Sequence, residues 1–217
     1  GYTYIPRSEL KNTASGLEIF KGISKNRDEG AILDDIYAML YNTLSAGMAE
    51  KEYKNGRFSY NSSDEKTVLS EYYDSKKMRG KVTANSKTGI SEASKAVGEN
   101  QIEIDGKAYG LKYRNCSDYL GYTVEFYLNS ENEEVIYAVP YKNNTVTEID
   151  ADDLIDADNT QISYSTDGSN KKLLKAEQNF DVIYNKKAYS GYGSIKDILP
   201  REGSVTVIDN DDNGRFD

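Results

Sequence analysis

Gln101-Ile102-Glu103-Ile104-Asp105-Gly106-Lys107-Ala108-Tyr109-Gly110-Leu111 is the stretch on which the fold turns. Two short runs carrying the β-formers Ile and Tyr flank an Asp-Gly pair. That dipeptide favours the two-residue turn whose twist matches paired antiparallel strands. Downstream, Tyr122–Leu128 and Val135–Val139 flank the polar turn Asn129–Glu134. Further β-rich runs follow at Thr145–Ile149, Gln161–Ser165, Lys172–Lys175, Asp181–Tyr184 and Val205–Ile208, and Arg79–Ala84 precedes them. Short strands with turn signals roughly eight to twelve residues apart predict a small barrel or sandwich. Val124, Phe126, Val135, Ile136 and Val139 are the expected core, and Ser194–Leu199, ended by Pro200, reads as one helical turn.

The N-terminal part reads as helical. From Ser8 to Lys21, Leu10, Ala14, Leu17 and Phe20 recur at three- and four-residue steps, with Gly16 or Gly22 available to end the helix. From Ala31 to Met48 the steps are Ile32, Ile36, Met39, Leu40 and Leu44, and Asp34 and Asp35 suit the positive end of the helix dipole. Ser24–Gly30 is the polar loop between these two helices. Residues 51–63 read as a polar connector, and Asp64–Ser75 as a third helix capped by Ser63 or Asp64. The fold class is therefore α+β: a helix-loop-helix and one further helix, then mainly antiparallel β in small barrel or sandwich units. Residues 1–50 form a helical segment, 51–77 a connector and helix, 78–166 a barrel-like β module, and 167–217 a second small β unit.

Composition restricts the chemistry. The 217-residue chain carries a net charge of −9, with 37% hydrophobic residues. Mean hydropathy is −0.73 and the pI is about 4.8. Nucleic-acid binding and attraction to anionic lipid both need a basic face, so neither is expected. No run approaches the ~20 apolar residues that cross a bilayer. The 19 tyrosines are then the main large apolar bodies, each with a polar tip. Cys116 is the only cysteine, which excludes an internal disulfide, and a small buried or half-buried thiol is the expected role. There is no histidine, so the commonest general base is missing and catalysis would have to run on carboxylates, Lys or Tyr. The abrupt ends at Gly1 and Asp217 suggest an excised fragment, so the lack of a signal peptide does not bear on export.

One motif carries possible metal chemistry. After Val205-Thr206-Val207-Ile208 come Asp209, Asp211 and Asn213 at alternate positions, then Gly214, Arg215 and Asp217. Hard cations such as Ca²⁺ take roughly six to eight oxygens, and this spacing gathers several on one tight turn. The candidate ligands are the side chains of Asp209, Asp211, Asn213 and Asp217 and the carbonyl of Arg215, matching the first nine positions of an EF-hand-type loop. The twelfth position would lie beyond Asp217, and a strand precedes the loop instead of a helix. The other reading is a solvated Asx-rich turn, because Asp, Asn and Gly favour turns without any metal.

Two further sets of residues resemble a known family. Gly16-Leu17-Glu18-Ile19-Phe20-Lys21-Gly22-Ile23 with Ile36-Tyr37-Ala38-Met39-Leu40-Tyr41-Asn42-Thr43-Leu44 resembles the end of an S-layer homology repeat of clostridial-type cell-surface proteins. Tyr72-Tyr73-Asp74, Arg79–Asn85, Thr88-Gly89 and Tyr119-Leu120-Gly121-Tyr122 resemble the region that follows such repeats. Val207–Asp217 is similar to their recurring "V-x-L-I-D-N-D-x-D-G-x-x-D" segment. The resemblance implies an exported protein on a Gram-positive envelope, located extracellularly in the cell wall or S-layer. Its repeats hold pyruvylated cell-wall polysaccharide through an arginine, and the aligned position here is Leu33 beside Asp34 and Asp35. An aliphatic side chain cannot form the bidentate bonds by which a guanidinium holds a carboxylate. Residues 1–50 thus look like a degenerate repeat, and its binding function is not carried over.

Three functions follow as expectations. The first is a non-catalytic structural module with neighbouring domains of a larger surface protein as partners and Ca²⁺ at the final turn. The second is a cell-wall glycan-binding module that stacks sugars on Tyr137, Tyr141, Tyr189 and Tyr192. The third is a carboxylate glycosidase using Asp150, Asp152, Asp153, Asp156 or Asp158, which would need two carboxyls across a cleft, one with a raised pKa. The acidic stretch reads as solvated, so no catalytic residue and no enzyme activity are expected.

Overall fold

The computed structural model describes residues 6–23, 32–91, 93–113, 118–158, 160–189 and 199–217. Cys116, Tyr192, the Ser24–Gly30 loop and most of the expected Ser194–Leu199 turn lie outside them. Among the described residues the class is α+β with mostly β content. The chain forms two compact units, Gly1–Lys77 and Met78–Asp217.

In the first unit, α1 (Leu10–Gly16) is half the length that its apolar steps predict, because the chain turns at Leu17 and Glu18 takes a positive φ of 57°. In α2 (Leu33–Ser45), the Asp35 carboxylate accepts from the Ile32 amide at 3.2 Å, tying the first turn. Asn42 joins the two helical segments, its Nδ2 donating to the carbonyls of Ile19 (3.0 Å) and Lys21 (2.9 Å). Met39 and Leu44 are half-buried, whereas Ile36 and Leu40 from the same predicted stripe are exposed.

The polar stretch after α2 is not a connector. β1 (Gly47–Lys54) and β2 (Arg57–Thr67) form an antiparallel hairpin around Asn55–Gly56. Both turn residues have positive φ, 52° and 75°, as the tightest hairpin turn requires. The turn dipeptide was the usable signal, and the charged residues around it hid the strands. α3 (Val68–Tyr72) is only five residues long, since β2 takes up Asp64–Thr67; Thr67 caps it by accepting from the Ser70 amide.

β3 (Ser75–Ala84) leads into the second unit. With β4 (Gln101–Ile104), β5 (Lys107–Leu111), β6 (Thr123–Asn129) and β7 (Glu134–Pro140) it closes a barrel in the order β3-β4-β5-β7-β6. The β4–β5 hairpin turns at Asp105–Gly106, and β5 pairs with β7 in parallel. The barrel is thus three strands in a meander followed by two in exchanged order. Closure comes from Val82, whose amide donates to Tyr122 and whose carbonyl accepts from Gly121. Val82, Ile102, Ile104, Tyr109, Val124, Phe126 and Val135 fill the interior with neighbouring side chains. Ile136 and Val139 are only half-buried. A bulge explains this: Leu128 pairs with Val135 and Tyr127 with Tyr137, so Ile136 is the extra residue.

The rest of the unit is built on a second core. β8 (Thr145–Asp150) is followed by one 3₁₀ turn, Ala151–Asp153, and then β9 (Leu154–Ala157). The acidic stretch is thus partly strand, where its carboxylates predict a solvated loop. β10 (Gln161–Tyr164) and β11 (Lys172–Ala176) continue the sheet, β12 (Val182–Tyr184) and β13 (Lys187–Tyr189) form a hairpin, and β14 (Ser204–Asp209) pairs with β8. β15 (Arg215–Phe216) adds in parallel to β11. Ile149, Ala157, Ile162, Tyr164, Ala176, Val207 and Phe216 are buried together. Phe180 meets Phe216 edge-on at 5.4 Å between ring centroids.

A candidate cation-binding turn anchored on the barrel

Residues 210–214 form a loop between β14, which pairs with β8, and β15, which pairs with β11, and the Asp217 amide donates back to the Ile208 carbonyl at 3.0 Å. Asp209, the last residue of β14, is 8% exposed although it carries a charge. Its Oδ2 accepts from the Gly214 amide at 2.8 Å, and its Oδ1 accepts from the amides of Asp211 and Asn213 at 3.3 Å each. Burial pushes this carboxyl's pKa up, but the three backbone donors outweigh it and the net shift is downward. The ionised form is thus built into the loop. Gly214 takes a φ of 83°, a conformation that disfavours side chains, while its amide donates to Asp209.

One carboxylate oxygen from each of Asp209, Asp211 and Asp217 lies within 4.8 Å of the other two. These three could hold a metal ion, and oxygen-only donors suit a hard cation such as Ca²⁺ or Mg²⁺. Asn213 is turned to other work. Its Oδ1 accepts from the Arg215 amide at 2.8 Å, and its Nδ2 donates to Glu177 and to Asp211 at 3.0 Å each. Arg215 pairs with Lys175, and its guanidinium donates to the Ala176 carbonyl.

Asn210 and Asp217 anchor the turn. Asn210, 7% exposed, accepts from the Thr123 amide through Oδ1 and donates through Nδ2 to the Gly121 carbonyl at 3.0 Å. That same amide group reaches Asp217 Oδ1 at 2.6 Å, and Asp217 Oδ2 accepts from the Asn210 amide. Lys81 of the barrel completes the cluster, 3.0 Å from Asp217 and 3.1 Å from Asp181. Thr145 adds a bond from its hydroxyl to Asp212 at 2.9 Å. Alternate spacing identifies Asp209, Asp211 and Asp217 but passes over Asn210, which falls between them. Lys81 has no sequence signal at all, because only the tertiary fold brings it to the turn.

Other candidate groups are differently placed. Tyr137 is 5% exposed and packs edge-on against Tyr127, while Arg79 lies 4.2 Å over the Tyr141 ring and Tyr189 packs edge-on against Tyr184. The outward positions of β4 and β5 are Gln101, Glu103, Ala108 and Gly110, with no aromatic among them. In the acidic stretch, Asp158 is shifted down by bonds from the Thr160 side chain and amide. Asp167 is shifted far down by the amides of Asn170 and Ser169. Each perturbed carboxyl among the described residues is thus moved away from the raised pKa that an acid catalyst needs. No helix among them is long and apolar enough to cross a membrane. No family model, curated protein or solved structure matches the chain.

Proposed function

We propose that this chain is a non-catalytic structural module of a bacterial cell-surface protein, with its Asp-rich turn acting as a clasp that Ca²⁺ can tighten. The resemblance to the region around S-layer homology repeats supports the surface location and an envelope partner. The observation that carries the mechanical reading is Asn210, one buried side chain that bonds Gly121, Thr123 and Asp217 together. Such a joint holds two hydrophobic cores in register and resists their separation under load. Each partner is buried or half-buried, so removing the Asn210 side chain while they stay buried leaves unpaired polar groups at about 1–3 kcal/mol each.

Calcium enters through charge. Asp209, Asp211 and Asp217 hold three carboxylates close together, and a divalent cation relieves their repulsion. At a free concentration about 100 times Kd, binding would add about 2.7 kcal/mol to stability. Calorimetric titration with Ca²⁺, paired with thermal unfolding in calcium and in chelator, tests the reading. Heat of binding and a raised Tm are expected. Silence in both removes the metal. Independent unfolding of the barrel and the 145–217 region removes the clasp.

A second reading, glycan binding, is favoured by one feature. A cleft of about 1,070 Å³ opens beside the clasp, with Tyr122, Phe180 and Tyr184 among its lining residues. Chemical-shift changes confined to these rings on adding cell-wall oligosaccharide would support it.

A further inference from the structure

The chain holds four Asn-Gly or Asp-Gly pairs: Asn55–Gly56, Asp105–Gly106, Asp167–Gly168 and Asn213–Gly214. Such pairs are open to a spontaneous backbone rearrangement. The glycine amide nitrogen, once deprotonated, can attack the preceding side-chain carbonyl carbon without obstruction from a Cβ. For asparagine a new N–C bond forms, the C–NH₂ bond breaks and ammonia leaves, giving a five-membered succinimide. Water then opens either imide bond to give aspartate or isoaspartate. No oxidant or reductant is involved.

We infer that the fold protects three of these pairs and leaves Asn55 as the site of spontaneous deamidation. At Asp105 the carboxylate accepts from the Lys81 amide at 2.9 Å and the Gly106 amide donates to Thr83 at 3.3 Å. At Asp167 the carboxylate is held by the amides of Ser169 and Asn170 at 2.9 and 2.8 Å. At Asn213 both reacting groups are engaged. The Gly214 amide donates to Asp209 at 2.8 Å, and the Asn213 side chain bonds Arg215, Glu177 and Asp211. Asn55 and Gly56 are both exposed at the hairpin tip, and among the described residues neither side chain nor amide has a partner. Space does not distinguish the two asparagine sites, because a Cβ on Gly56 or Gly214 would meet nothing within 4 Å. The Asn213 site is tied by hydrogen bonds that the Asn55 site lacks among the described residues.

Asp209 is therefore a guard as well as a candidate ligand, holding the nitrogen that would attack Asn213. Conversion of Asn55 places a carboxylate between Lys54 and Arg57, and the isoaspartyl product adds a backbone carbon beside their pairing. The test is peptide mapping by mass spectrometry after incubation of the whole chain at mildly alkaline pH, folded and in urea. In the folded protein Asn55 should convert at least about tenfold faster than Asn213, since only Asn213 must first open its bonds. In urea the two rates should converge. Asp209→Ala should raise the Asn213 rate and leave the Asn55 rate unchanged. Equal rates in the folded protein, or an Asn213 rate indifferent to unfolding, would overturn the inference.

Discussion

The Lys81 ammonium lies 3.0 Å from the Asp217 carboxylate, across 136 residues of sequence. Lys81 belongs to the first barrel strand and Asp217 follows the last strand of the second core. Their contact ties the start of the second unit to its end. The ammonium also lies 3.1 Å from Asp181, so one cation serves two carboxylates, each only partly exposed. Any metal ion held by Asp217 would compete with Lys81 for the same carboxylate.

Replacing Lys81 with methionine tests this competition. The stem is kept, and two carboxylates lose their counter-charge. Partly exposed pairs contribute modestly, so the loss should be about 1 kcal/mol in low salt and should shrink as salt rises. Calcium should restore more stability to Lys81→Met than it adds to the parent chain. Thermal scans across a salt and calcium grid read both effects, and an identical calcium response in the two proteins refutes the competition.

Asn210→Ala should be the most damaging change in the turn. It strands the Thr123 amide and the Gly121 carbonyl and removes a donor to Asp217. A loss of about 2–4 kcal/mol is expected by denaturant unfolding. Asn210→Asp keeps the acceptor for Thr123 but sets a carboxylate against Asp217, so its defect should lessen as pH falls. A loss below about 0.5 kcal/mol for Asn210→Ala would show that the anchorage does not hold the cores.

Asp209 predicts a specific pH dependence. Its folded pKa lies below the unfolded value of about 3.9, so its contribution is fully present above that value. The contribution is lost as pH falls below about 4 and through the folded pKa. Asp209→Asn places a donor group against backbone donors and should lose about 1–3 kcal/mol at neutral pH. The Tm gap between parent and variant should stay constant from about pH 8 to 5 and close in acid. A gap that widens in acid contradicts the assigned bonding.

Gly89 is a steric test of the barrel's first loop. A Cβ there would run into the carbonyl of Ser94, which is backbone and cannot swing away. Gly89 pairs with Ala84 and is buried, so Gly89→Ala should cost about 1–3 kcal/mol or more, whatever its helix or strand preference. A neutral outcome in chemical denaturation would mean that this loop yields freely.

Local chemistry made parts of this fold legible. Asp105–Gly106 between β-forming runs announces a hairpin, and the structure places the turn there. Asn55–Gly56 carries the same instruction, but the surrounding Lys, Glu and Arg conceal strands whose pairing is carried by backbone bonds. The Ile136 bulge left no mark either, since inserting one residue changes which side chains face inward without changing composition.

The chain's own order determined its α+β class, its main hairpins and the clustering of oxygen donors at the turn, because these depend on neighbours in sequence. The tertiary structure alone decided that Lys81, Gly121 and Thr123 meet Asn210 and Asp217. Which charge faces which depends on barrel closure and strand order, and these arise from burying two separate cores, a property of the whole chain that no short segment encodes.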